Sequence, residues 1–323
     1  MPFDQWGRVG IWRFLKKLVT MLLTLLIVSL LVFGAFHMLG GDPVTAMLGM
    51  EATPERVAAI RAEMGLDAPA GVLYLNWLRG FVSGDMGTSY SYDIPVATMI
   101  ADKIPITLTL SLLAIVMVVI LAIPLGIFTA KNENRPLERI IMVINQIFMA
   151  IPPFLAGILL TLVFGLTLRL FTPGGFVSYK ENVRQFITFL FLPAFAIALP
   201  RAAMAVKLLR SSLIAELKSD YVRTAYSKGC SVNRVLYRHA LRNTMLPLVT
   251  FLGMAMTDMI AGSIIIEQVF GIPGLGRILL SSIANRDYPV VMAIIICIVF
   301  MVLIVNLVID IVYGMIDPRV KVY

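Results

Sequence analysis

Side chains able to do covalent chemistry are scarce in this sequence, and their spacing excludes the usual arrangements. His37 and His239 stand apart from any carboxylate or cysteine cluster. Cys230 and Cys297 have neither metal-ligand spacing nor a disulfide framework around them and read as packing residues. No Gly-Lys dipeptide occurs, so there is no phosphate-cradling P-loop. We expect no catalytic residue, no metal ligand and no cofactor on this chain.

What remains is a set of charges in apolar surroundings. Such charges are costly inside a membrane and mark pathways or structural pairs. Asp258 lies well inside an apolar run, where it can line a translocation path and attract a cationic or amino-terminal group of a solute. It can equally make an interhelical contact, and the sequence leaves both open. Met254, one turn earlier, is a packing residue or a second wall of that path. Glu267 closes the run externally, as a path residue or as the anchor of the glycine-rich loop that follows. Arg201 reads as a snorkelling side chain, and Asp310 as a partner to a loop base.

The elements that carry these residues are membrane spans. The mean hydropathy is +0.90, and 14% of the 323 residues are charged, against about one quarter in soluble domains. Six apolar runs reach the roughly 20 residues that a crossing needs: 19–39, 104–130, 140–168, 186–206, 244–266 and 290–313. The third contains Pro152-Pro153, which should kink or break it. The first has no small-residue cleavage pattern after it and reads as a retained span rather than a signal peptide.

The net charge of +8 reports topology rather than nucleic acid. Arg8, Arg13, Lys16 and Lys17 precede the first span, and Lys131, Arg135 and Arg139 separate the second and third. Eight Lys/Arg lie between Lys207 and Arg242, and Arg319 and Lys321 follow the last span. Segment 40–103 carries eight acids against four bases. This bias puts both termini in the cytoplasm. It divides the chain into a cytoplasmic segment 1–18, a first span 19–39, an extracytoplasmic segment 40–103, and a core 104–323 containing a cytoplasmic loop 207–243.

The external segment should hold a short helix capped by Thr53, with Pro54 at its start and Gly65 past its end. An amphipathic helix over "VLYLNWLRGFVSG" should lie in the membrane interface. It is either a packed cap or a recognition surface for a donor protein. Loop 167–185 should be external and turn-rich. In "FGIPGLG", Gly271, Pro273, Gly274 and Gly276 cannot continue a helix. The chain must turn or re-enter there, beside a pathway or a subunit seam.

The loop 207–243 is the most informative stretch. Ile214, Leu217, Tyr221 and Ala225 recur at helical spacing and define one apolar face. Lys228 falls in a last turn, and Gly229 is placed as a left-handed C-cap. A second helix can start at Ser231, with Pro247 marking where span five begins. This knuckle of two short helices at a glycine elbow could dock in a partner's groove. It could also simply rest on anionic lipid.

"DYVRTAYSKGCSVNRVLYRHALRNTMLPLV" resembles the cytoplasmic-loop signature of ABC importer permeases, Glu-Ala-Ala, three residues, Gly and a hydrophobic-Pro ending. Gly229 and Leu246-Pro247 match. Arg223, Thr224 and Ala225 occupy the Glu-Ala-Ala positions, so the Glu is absent. Arg-Thr-Ala with Lys-Gly is similar to the oligopeptide/dipeptide/nickel permease subfamily. "GDP" (41–43), "GDMGTSY" (84–90), "IIIEQVFGIPGLG" (264–276), "NRDYP" (285–289) and "MIDPR" (315–319) extend that resemblance nearly end to end.

The resemblance implies an all-α polytopic protein of six transmembrane helices with the type I ABC importer permease fold. It is closest in pattern to the first, B-type, permease subunit of peptide importers of the cytoplasmic membrane. It further implies a second homologous permease, two ATP-binding subunits, an extracytoplasmic solute-binding protein and contact with membrane lipid. Asp220, Tyr221, Arg223, Thr224, Ala225, Lys228 and Gly229 then become the residues that couple to the ATPase, and the glycine-rich loop an external gate. The competing class is an ion-coupled carrier with Asp258 as relay, although no internal repeat supports it. A membrane-embedded enzyme would need reactive side chains gathered at one depth.

Overall fold

Backbone buried in hydrocarbon must satisfy its own hydrogen bonds, so apolar runs of this length fold as helices. The computed structural model describes residues 3–39 and 41–316, with side chains from 15 to 313 apart from 39, 46 and 50. The side chains of Arg8 and Arg13, the end of the "MIDPR" match, Arg319 and Lys321 lie outside the described residues. Five helical stretches are long and apolar enough to cross a membrane: Leu15–Met38, Val96–Lys131, Val183–Leu217, Val232–Phe270 and Tyr288–Tyr313. A sixth is the pair Pro136–Ala150 and Pro153–Thr167, bent by 104°. The bend falls at Pro152-Pro153, where the missing N–H groups interrupt the helical ladder.

The chain forms two compact units. The first comprises residues up to Ile104 together with Ile278–Leu303. Its helices are α1 (Phe3–Leu39), α2 (Pro43–Leu48), α3 (Pro54–Glu63), α4 (Ala70–Ser83) and α5 (Val96–Ala101). Thr53 caps α3 by accepting from the Arg56 amide at 3.4 Å. α4 packs beside α1 through Tyr74, whose hydroxyl lies 2.8 Å from Ser29 Oγ. Val72, Leu75 and Val82 stay exposed on α4, the apolar face that an interfacial helix shows to lipid.

Residues 278–303 pack with this unit because Asp287, which is fully buried, receives the loop 89–91. Its carboxylate accepts from the Ser89 hydroxyl, the Tyr90 amide at 3.1 Å and the Ser91 amide at 3.3 Å. Burial, with the nearby Asp287 charge, pushes the Tyr90 phenol up to about 12 and keeps it neutral. The neighbouring Tyr288 hydroxyl donates to the Gly41 carbonyl at 2.7 Å. The stretches "GDP", "GDMGTSY" and "NRDYP" are therefore one structural junction.

The second unit comprises Pro105–Arg277 and the residues from Ile304 on. It contains α6 (Ile104–Lys131), α7 (Pro136–Ala150), α8 (Pro153–Leu160, continued as a π-helical turn to Thr167) and α9 (Val183–Leu217). Then follow α10 (Asp220–Ser227), α11 (Val232–Arg234), a π turn over Val235–Ala240 and α12 (Leu241–Phe270). α13 (Leu275–Ala284) and α14 (Tyr288–Ile316) close the chain and are shared between the units.

α9 is the hub of the second unit, packed against α7, α8 and α12. Leu190, Leu209 and Leu213 on α9 are fully buried and hold the helices together by close packing, since lipid tails are as apolar as leucine. Two polar links fix α7 to it: Asn145 donates to the Ala203 carbonyl at 2.7 Å, and Arg210 pairs with Glu138 at 2.8 Å. Loop 167–185 is turn-rich but not detached, since Phe171, Phe176 and Tyr179 fold in against Phe186, Phe189 and Phe270.

Three expectations change. Pro247 starts no helix, because one helical stretch runs from Val232 to Phe270 with Pro247 inside it. The loop 207–243 is mostly helix, its first part belonging to α9 and its last to α12. Ile214 and Leu217 share no helical face with Tyr221 and Ala225, because α9 ends at Leu217 and α10 starts at Asp220.

Candidate functional site

α10 is an eight-residue helix held between the ends of two spans. It starts after Ser219, whose hydroxyl donates to the Glu216 carbonyl at 2.6 Å. At its other end Gly229 N–H donates to the Tyr226 carbonyl at 2.9 Å, and Cys230 N–H to the Ala225 carbonyl at 3.1 Å. This is a Schellman turn, which requires a left-handed residue just past the helix. Gly229 supplies it with φ +81°, and no atom lies within 4 Å of where its Cβ would be. The requirement is one of backbone conformation, not of space.

The base of α10 is fixed by a three-way contact. Glu216 Oε1 at the end of α9 accepts from the Tyr221 hydroxyl at 2.6 Å and from Asn243 Nδ2 on α12 at 2.7 Å. Asn243 also donates to the Tyr221 oxygen at 3.1 Å. Partial burial, followed by the Glu216 contact, raises the Tyr221 phenol above its ordinary range, so it stays a donor. Below this triangle Val222 is fully buried, as are Val235, Leu236 and Ala240 of the π turn that α10 packs on. Lys218 pairs with Glu133 at 3.1 Å, and Lys131 donates to Asn233 at 3.1 Å. Exposed ion pairs of this kind contribute under about 1 kcal/mol each, so the buried Val222 does most of the holding and the Glu216 triangle sets the orientation.

The opposite face is unengaged. Asp220 and Arg223 are 98% and 79% exposed and lie 3.7 Å apart, too loose and wet to stabilise anything. Thr224, Tyr226, Ser227 and Lys228 are exposed beside them, while Ala225 is half-buried. Of the residues expected to act together, α10 thus splits them: Tyr221 secures the base, and Asp220, Arg223, Thr224 and Lys228 face outward. Glu216 and Asn243 complete the site without any local signal, since they are 27 residues apart in sequence.

At the far end of α12 the turn "FGIPGLG" opens with the same left-handed glycine, Gly271 at φ +68°, and is then closed from within by a carboxylate. Glu267 is fully buried. Its carboxylate accepts from Thr107 Oγ1 at 2.7 Å, Gly276 N–H at 2.7 Å and Arg277 N–H at 3.1 Å. It thereby caps the first turn of α13, where unpaired amides and the helix dipole favour an anion. A Cβ at Gly274 would run into this carboxylate, and one at Gly276 into Ile264. The expectation of Glu267 as a path residue is corrected: its oxygens are spent on the turn. Gly271, Pro273, Gly274 and Gly276 form a clamped corner, with Ile272 and Leu275 fully buried.

Asp258 is paired with Arg201 across α12 and α9, at 3.0 Å. This replaces the snorkelling reading of Arg201 and removes the lone acid that a proton relay would use. Met254, one turn away, is 66% exposed.

The chain matches the family described as binding-protein-dependent transport system inner membrane component over residues 122–322. The N-terminal membrane component of the same kind of system matches residues 11–111. It belongs to this family. An oligopeptide transport system permease protein of Bacillus subtilis (strain 168) is 36% identical over 300 residues, covering 92% of this chain and 95% of that protein. A glutathione transport system permease protein of Salmonella choleraesuis (strain SC-B67) is 34% identical, covering 95% and 98%. A probable peptide ABC transporter permease protein of Sinorhizobium fredii is 30% identical over 307 residues.

This family member is therefore a multi-pass, all-helical transport component of the inner membrane, with the type I ABC importer permease fold. The ion-coupled carrier reading falls with that membership and with the Arg201–Asp258 pair. Within the permease, α10 and its Schellman turn carry the cytoplasmic signature, at Arg223-Thr224-Ala225 and Gly229.

Proposed function

We propose that this permease is half of the pore of an ATP-driven importer of peptide-like solutes, and that α10 is the joint through which ATP-binding subunits move it. The observation that carries the proposal is the two-sided build of α10. Its inner side is locked to both α9 and α12 by Val222 and the Glu216–Tyr221–Asn243 triangle. Its outer side, with Asp220, Arg223, Thr224 and Lys228, makes contacts only within α10 itself among the described residues. A groove that grips the outer side displaces two membrane-spanning helices as one body, because the continuous helix from Val232 to Phe270 carries the push across the membrane.

The partners are a second homologous permease, two ATP-binding subunits that hold ATP and Mg, and an extracytoplasmic binding protein that delivers the solute. The peptide character of the solute comes from the named relatives. Arg223, where the general signature has Glu, meets the groove with positive charge, so an acidic or carbonyl-lined rim is the complement. Met254 and Asp258 line the path. The glycine-rich corner at Gly271–Gly276 travels with α12 as a rigid external element.

Reconstitution tests this. The permease is purified with its second permease and both ATP-binding subunits in proteoliposomes, and the peptide-loaded binding protein is added. Peptide-stimulated ATP hydrolysis with accumulation of the peptide is the expected result. Accumulation driven by an ion gradient in the absence of ATP would contradict it.

A further inference from the structure

Two opposite charges meet on an open face of the second unit at a depth where lipid cannot receive them. Asp258 lies twelve residues before the end of α12 at Phe270, about 18 Å along the axis at about 1.5 Å per residue. That is near the middle of a hydrocarbon layer roughly 30 Å thick. Arg201 sits near the centre of α9. Their side chains are 30% (Arg201) and 52% (Asp258) exposed.

The face continues along α12. Thr250, Met254, Asp258, Ala261, Ile265 and Gln268 recur every three or four residues, and all are exposed. Three of these six are polar, against the wholly apolar surface that lipid contact favours. Ionised groups at mid-depth face protein or a water-filled cavity, so this stripe is turned away from the bilayer, toward the pore and the partner permease that completes it.

The chemistry of the pair specifies what it takes. Among the described residues, their mutual contact is the one polar contact that either side chain makes. Arg201 therefore keeps guanidinium donors, and Asp258 keeps acceptor lone pairs, directed at the open side. We propose that the Arg201–Asp258 pair is a charge-exchange site for zwitterionic solutes: an ammonium group engages Asp258 while a carboxylate engages Arg201, each replacing part of the contact the two side chains make with one another. This rests on the reading of the chain as a peptide permease, and it names what the path recognises. Because each charge already has its counter-ion, the site binds weakly. A conducting path needs that, since a site must be favourable enough to enter and weak enough to leave.

The test uses the complete complex in proteoliposomes with its binding protein and unblocked alanine peptides of two to five residues. Uptake and ATP hydrolysis are recorded together. Asp258→Asn and Arg201→Gln are each expected to lower peptide uptake per ATP hydrolysed about five- to tenfold, the loss of one charge-assisted contact, with assembly and binding-protein-stimulated ATP hydrolysis retained. The exchanged double variant Arg201→Asp with Asp258→Arg should recover most of the uptake, because a zwitterion can enter in the opposite sense. Unchanged uptake per ATP in both single variants would overturn the proposal. So would a parallel loss of hydrolysis and uptake, which would mark the pair as a helix brace alone. A wild-type complex that hydrolyses ATP but imports none of these peptides would instead contradict the peptide reading and take this site with it.

Discussion

The helical stretch Val232–Phe270 has a left-handed glycine turn on each side, Gly229 (φ +81°) before it and Gly271 (φ +68°) after it, and the two turns are finished differently. At the outer corner, Gly271 supplies a left-handed backbone, Gly274 and Gly276 are required as well because neighbours crowd them, and the buried Glu267 carboxylate absorbs the amides of Gly276 and Arg277. At the inner elbow, Gly229 is required for its left-handed backbone, with open space around it. One turn is finished within the chain. The other is finished on one side only, leaving the polar face of α10 for something else to cover. A rigid outer corner and an unfinished inner elbow flanking one helical stretch suit a lever gripped from the cytoplasm.

The comparison breaks most sharply at Glu267. Glu267→Ala leaves Thr107, the buried Gly276 amide and the part-buried Arg277 amide without their acceptor, at about 1–3 kcal/mol for each buried orphaned group. Thermal unfolding of the purified complex should show a large loss of stability, and Glu267→Gln, which keeps one acceptor, a smaller one. If Glu267→Ala unfolds like the wild type, the outer corner is not clamped as described.

Gly229→Val should act differently. A β-branched residue forced to positive φ costs about 1–2 kcal/mol, spent on reshaping the elbow rather than unfolding the protein. Membrane insertion and assembly should survive while uptake falls at least about tenfold and ATP hydrolysis becomes indifferent to the loaded binding protein. Normal coupling in this variant would remove α10 from the mechanism.

A smaller effect is expected from the base of the elbow. Tyr221→Phe and Asn243→Ala each remove a contact to Glu216 worth about 0.5–1.5 kcal/mol. Their effects on coupling should be partial and not additive, since both act through one carboxylate. Additive losses in a double-variant cycle would show that the triangle does not work as a unit.

The smallest change is expected for Glu133→Gln. The Lys218 pair that it breaks is exposed, and its contribution should be under about 1 kcal/mol and should vanish at high salt.

Local features were legible in the sequence, and features joining distant residues were not. Gly229, the caps at Thr53 and Pro54, and the break at Pro152-Pro153 follow from backbone chemistry within a few residues. The periodicity from Ile214 through Ala225 misled because its three- and four-residue spacing runs straight across the break at Lys218-Ser219, where the helix axis changes. Pro247 looks like a helix boundary in the sequence, yet inside a packed helix the carbonyl it frees is tolerated. Glu216 with Asn243, Arg201 with Asp258, and Asp287 with the loop 89–91 depend on which helices pack together. Hydropathy locates spans without saying how they pair.

The central claim, that the outer face of α10 is covered by an ATP-binding subunit, is tested most directly by thiol labelling. A single cysteine replaces Arg223 in a background carrying Cys230→Ser and Cys297→Ser, and its reaction with a membrane-impermeant maleimide is followed on inside-out vesicles. The account predicts rapid labelling when the ATP-binding subunits are stripped away and strong protection when they are restored. Equal labelling rates in the two states would contradict it.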